Sequence, residues 1–159
     1  MQAEDGKLLR CGSGWGSTVR TLYFGCFKCY WNEPDGRSVR ALARRADGLS
    51  SSAICIAEMA CLAHRKVREG PTTPADAVVR RDLFLDDLSN GVITAIPVTE
   101  RLLRRVEAVT RAMPPECFLR TFDALHLVTA ADSGFTEIWT NDRHMLAAAP
   151  HFGLSGRSI

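Results

Sequence analysis

A chain of 159 residues is the size of one ordinary domain, long enough to bury a core without disulfides or a metal to hold it together. With 46% hydrophobic and 24% charged residues it excludes a largely disordered protein. No apolar run approaches the roughly 20 residues of a membrane-spanning helix, and the opening residues, with Glu4 and Asp5, do not read as a signal peptide. A cytoplasmic protein with no membrane partner is expected.

In chain order, residues 1–18 are rich in Gly and Ser and unpatterned, and are expected to form an irregular extension before one domain spanning 19–159. Val19 to Phe24 reads as a buried strand, and Asn32-Glu33-Pro34-Asp35-Gly36 as a turn into a short helix, Ser38 to Ala46. A strand from Leu49 to Ser51 leads into a helix from Ser52 to about Arg68, closed by Gly70-Pro71. Thr73-Pro74-Ala75-Asp76 starts the next helix, to about Ser89, with Thr as cap and Pro where its missing N–H costs nothing. Val92 to Val98 is a strand, Thr99 caps a helix to Ala112, and Met113-Pro114-Pro115 breaks it. A helix from Leu119 to Asp132 closes at Gly134; Thr136 to Thr140 is a strand, Asp142 opens another helix, and Leu154 to Ile159 forms a last strand. Strands alternating with helices predict an α/β fold, a three-layer sandwich with a central, mostly parallel sheet flanked by helices.

The formal charge of +2 is too small to announce a nucleic-acid binder by itself. Arginines recur as the pairs Arg44/Arg45, Arg80/Arg81 and Arg104/Arg105, forks able to grip phosphate oxygens, although solvated helix faces carry such pairs as well. Six cysteines without a secretory signal read as reduced thiols. Cys26 and Cys29 form a C-x-x-C, but a zinc site needs a second pair that Cys55, Cys61 and His64 do not supply cleanly.

Three carboxylates stand out. Along the helix after Leu49, Glu58 lies four residues after Ile54, three before Cys61 and four before Leu62, which places it on an apolar stripe. Asp123 sits four after Leu119, four before Leu127 and seven before Ala130, with His126 three residues on. Asp142 follows the strand Thr136 to Thr140, at the end where a parallel sheet gathers its functional groups. An inward carboxylate must be neutral, paired or bound to a metal. Three converging carboxylates are best relieved by a divalent cation, and oxygen-only ligands favour Mg2+ or Mn2+, ions suited to phosphodiester chemistry. The plainer alternatives are an arginine ion pair for Glu58, hydrogen bonds from backbone or His126 for Asp123, and an N-cap for Asp142; His126 reads as a packing or outer-sphere residue.

Leu49 to Ala60 (L-S-S-S-A-I-C-I-A-E-M-A), Leu119 to Ala130 (L-R-T-F-D-A-L-H-L-V-T-A) and Ile138 to Leu146 (I-W-T-N-D-R-H-M-L) resemble the three later motifs of bacterial PIN-domain proteins, in that family's order. The resemblance covers roughly Trp31 to Ile159. It implies a metal-dependent endoribonuclease acting on RNA, often the toxin of a VapBC-type toxin–antitoxin pair, inhibited by a cognate antitoxin and commonly a homodimer. Glu58, Asp123 and Asp142 then match the family's second, third and fourth acidic positions, as catalytic metal ligands. The first motif departs: the family's opening strand ends in aspartate, whereas here it reads L-Y-F-G-C-F-K-C-Y, with Gly25 or its neighbourhood in that place and no acid between Val19 and Tyr30. Glu33 and Asp35, in the turn beyond, are the acids that could substitute. An altered, truncated or misread N-terminus accounts for the departure equally well, and a catalytically impaired PIN fold serving as a protein- or RNA-binding module is the alternative function.

Overall fold

The computed structural model describes residues 22–23, 26–31, 35–46 and 48–159. The expected extension, residues 1–18, lies outside the described residues, as do Gly25 and Glu33. The elements run β1 (Leu22–Tyr23), a 3-10 turn (Cys26–Cys29), α1 (Gly36–Ala43), β2 (Leu49–Ser52), α2 (Cys55–Glu69), α3 (Pro74–Ser89), β3 (Ile93–Ile96), α4 (Glu100–Ala112), α5 (Thr121–Asp132), β4 (Glu137–Trp139), α6 (Arg143–Ala148), a second 3-10 turn (Ala149–Phe152) and β5 (Ser155–Arg157).

Local chemistry fixes the ends. Thr73 Oγ1 accepts from the Asp76 amide at 3.1 Å, with Pro74 opening α3, and Thr99 Oγ1 accepts from the Leu102 amide at 3.4 Å to open α4. Gly70, at φ 88°, ends α2 in the left-handed conformation that glycine adopts without strain. Two helices differ from expectation at their ends. Helix α2 begins at Cys55 rather than Ser52, because Ser52 still pairs with Ile96 and the Ala53 amide donates to the Ile96 carbonyl at 2.8 Å. Helix α1 starts at Gly36, two residues early, and stops at Ala43, where Arg44 and Arg45 turn away.

All strand pairs are parallel. Strands β1, β2 and β3 form one ladder in that order, with Leu22 opposite Leu49 and Leu49 opposite Ile93, while β4 and β5 form a second, with Trp139 opposite Arg157. Strand β1 packs beside β4, so the two ladders adjoin without a hydrogen-bonded pair between them among the described residues. Alternation along the strands sorts side chains onto two faces. Leu49, Ile93 and Trp139 join a core with Met59 and Phe84 of α2 and α3, whereas Ile96 and Ile138 join a second core with Leu102 of α4, Leu127 and Val128 of α5 and Phe152. Two cores on opposite faces of parallel strands are the expected α/β sandwich.

Helix α5 is the hub of the second core. Every residue from Ala124 to Ala130 is buried, as expected of a helix that packs on β2, β4, α4 and α6 together. The other tight point is Gly156 in β5, where an added Cβ would lie 2.9 Å from Leu146 Cδ2 and 3.2 Å from Leu146 Cα. Because backbone as well as side chain blocks that methyl, Gly156→Ala is expected to destabilise the fold by about 1–3 kcal/mol in urea denaturation. An unchanged midpoint would show that α6 can retreat from β5.

Candidate active site

In a parallel sheet the carboxyl ends of the strands stay open, and the helices that follow start there. Glu58 stands in the first turn of α2, just after β2; Asp123 stands in the first turn of α5; Asp142 follows β4 as the N-cap of α6. The dipoles of α2 and α5 favour negative charge at their first turns.

The apolar stripe of α2 differs from the one expected. The buried residues are Cys55, Met59 and Ala63, each one position on from Ile54, Glu58 and Leu62 of the expected stripe, and Cys61 is exposed. Glu58 therefore lies at the margin of the buried face, with its side chain 20% exposed. Its Oε2 is 2.8 Å from His126 Nε2, a hydrogen bond that an ionised carboxylate can only accept, and the His126 ring is buried. The imidazole expected as a packing or outer-sphere group thus holds Glu58, not Asp123, and no arginine is needed to explain Glu58. Nothing in the spacing could reveal this, because the partners are 68 residues apart.

Asp123 is half-buried, and its Oδ2 has no hydrogen-bond partner among the described residues. Burial pushes its carboxyl above the ordinary value; the negative charge of Asp142 adds to that, Arg120 opposes it, Glu58 raises it further, and His126 opposes it. Asp123 therefore sits close enough to Asp142 and Glu58 to feel both charges. Asp142 is an N-cap, as the plainer alternative had it: its Oδ1 accepts from the amides of His144 at 2.7 Å and Met145 at 3.2 Å. Its other oxygen, Oδ2, lies 3.9 Å from Arg120 Nη1. Among the described residues no three His, Cys, Asp or Glu side chains are already set as a metal cluster. Among the described residues no partner answers Asp123 Oδ2, and the charges of Asp142 and Glu58 add to the cost of ionising it.

Asp35 is engaged elsewhere. It is paired with Lys28 and accepts from Asn141 Nδ2 at 2.6 Å, and these bonds hold its carboxyl below the usual range. Asn141 in turn accepts from Ser158 Oγ and the Ile159 amide, so the residue beside Asp142 ties the chain's end to the α1 turn. Cys29 is buried, and burial pushes its thiol up to about 12, the wrong direction for a metal-binding or redox thiolate. Two of the arginine pairs are structural. Arg80 donates to the Tyr30 carbonyl and lies over the Trp31 ring, Arg81 pairs with Asp82, Arg104 with Glu100 and Arg105 with Asp132. The arginine near the carboxylates is instead Arg120, whose signal in the sequence was its place three residues before Asp123.

Parallel strands sheathed by helices define an α/β protein, with Glu58 and Asp123 in the first turns of α2 and α5 and Asp142 just after β4. The family model described as PIN domain matches residues 30–150, and the chain belongs to the PIN-domain family. This is a nuclease-type fold that generally works with divalent metal ions. Neither the search of curated proteins nor that of solved structures gives a match.

Proposed function

We propose that this PIN domain is an endoribonuclease dependent on Mg2+ or Mn2+, with Glu58, Asp123 and Asp142 as its protein ligands and RNA as its substrate. The observation that carries the reading is the unpartnered Asp123 Oδ2, buried beside two like charges, a costly arrangement until a cation joins it. When bound, such an ion polarises a phosphoryl oxygen and lowers the pKa of a water at the site. The chain's own residues prepare the place. His126 orients Glu58, capping fixes Asp142 by one oxygen and leaves the other 3.9 Å from Arg120 Nη1, and Arg120 presents a guanidinium able to take a phosphate oxygen. The purified protein is expected to cleave single-stranded RNA with Mg2+ or Mn2+, to stop with EDTA and to resume when the ion is returned in excess. A folded protein that cuts no RNA at any concentration of either ion contradicts this.

Within the same reading the chain is a toxin, cytoplasmic and homodimeric, restrained by a cognate antitoxin; the support is the resemblance of its three later motifs to bacterial PIN-domain proteins, which are often VapBC-type toxins. Expression of the chain alone is then expected to arrest growth of a bacterial host.

One observation favours a second reading, a catalytically impaired domain kept as a protein- or RNA-binding module. No acid precedes Tyr30 in the first motif, and Asp35 is already bound to Lys28 and Asn141. Gly25→Asp decides between the two. Cleavage that appears only in the variant supports impairment through that one missing ligand, and cleavage by the unaltered chain supports the first reading.

A further inference from the structure

Residues 117–120 approach α5 outside any helix or strand, and their side chains alternate between half-buried and exposed. Cys117 and Leu119 pack against the second core, which leaves Phe118 and Arg120 on the outside. Phe118 is 54% exposed and is nonetheless held. The His144 ring meets it in a tilted edge contact with centroids 4.6 Å apart, and the Arg120 guanidinium lies 5.8 Å from its centroid. Both partners lead back to Asp142: His144 donates its amide to Asp142 Oδ1, and Arg120 Nη1 is 3.9 Å from Asp142 Oδ2. A second exposed phenyl, Phe122, is the immediate neighbour of Asp123.

We propose that Phe118 is a stacking platform for an unpaired nucleobase, with Arg120 taking the adjoining phosphate, so that the site selects single-stranded RNA. Every base offers a π face to such a ring, whereas the bases of a duplex are already stacked on one another. A guanidinium set between an aromatic ring and the Asp142 carboxylate, and well exposed, suits a polyanion better than a purely apolar partner. The position of the phosphate at the carboxylates rests on the nuclease reading; the stacking itself can be measured without cleavage.

The experiment is fluorescence anisotropy of a short labelled single-stranded RNA, and of the same RNA annealed to its complement, with the full chain in EDTA. Phe118→Ala is expected to weaken single-strand binding about ten-fold and duplex binding far less, while Phe118→Trp retains single-strand binding. Arg120→Ala is expected to weaken binding and flatten its salt dependence. Equal losses for single strand and duplex, unchanged affinity in Phe118→Ala, or no RNA binding by the unaltered chain each overturn the platform, and the middle result assigns the exposed phenyl to a protein partner. Circular dichroism of each variant checks folding, and Phe118→Trp keeps the test decisive should the alanine variant be unstable. Phe118-dependent binding without cleavage in Mg2+ leaves the platform standing and sinks the nuclease; cleavage with Phe118-independent binding does the reverse.

Discussion

Replacing Asp123 by asparagine is expected to remove RNA cleavage while making the metal-free protein more stable. Loss of an outer-sphere partner of a metal site costs roughly ten- to a hundred-fold, so removal of a carboxylate that itself holds the ion is expected to cost more, at least about a hundred-fold in kcat/KM. The gain in stability follows from the environment of Asp123. Burial first, and the charge of Asp142 next, raise its carboxyl in the folded chain above the ordinary 3.8. A raised carboxyl contributes stability that is complete below about pH 4 and is lost as pH rises through the folded value. At neutral pH the ionised Asp123 is therefore a liability until a cation answers it, and asparagine is expected to raise the melting midpoint. The gain should shrink toward zero near pH 4. A variant that loses stability at pH 7 would mark Asp123 as an ordinary structural residue.

Phe84→Ala is expected to carry the largest cost to the fold. Phe84 is fully buried in the core beneath α2 and α3 and meets the Tyr30 ring edge-on at 5.5 Å; Tyr30 is itself fixed by donating to Asp87 at 2.6 Å. Truncation leaves a void among Met59, Trp31 and Tyr30, at about 3–5 kcal/mol from a total of about 5–15. Urea denaturation should show much of the stability gone, and the first turn of α2, which carries Glu58, should loosen with it. A loss below about 1 kcal/mol would mean that the helices close over the void.

The alternation of strands and helices was legible because each boundary has local chemistry: Thr73 with Pro74, Thr99, Gly70, and the prolines after Ala112. The start of α2 was misplaced because ladder pairing of Ser52 with Ile96, a contact distant in sequence, outweighs local helix preference. The same shift rotated the predicted stripe, so Glu58 was read as inward when it lies at the margin. The half-buried place of Asp123 was legible from spacing, and the place of Asp142 from the strand before it. The pairing of Glu58 with His126 could not, since only the packing of α5 against β2 brings those helices together. Phe118 passed unnoticed because an exposed aromatic outside helices and strands carries no periodic signal.

Thermal melts with and without divalent ion test most directly whether the three carboxylates share a cation. The midpoint of the unaltered chain should climb with Mg2+ or Mn2+ concentration, as binding to the folded state alone requires, and that of Asp123→Asn should stay flat. A midpoint that ignores both ions, or climbs equally in the two proteins, would contradict the site proposed for this PIN domain.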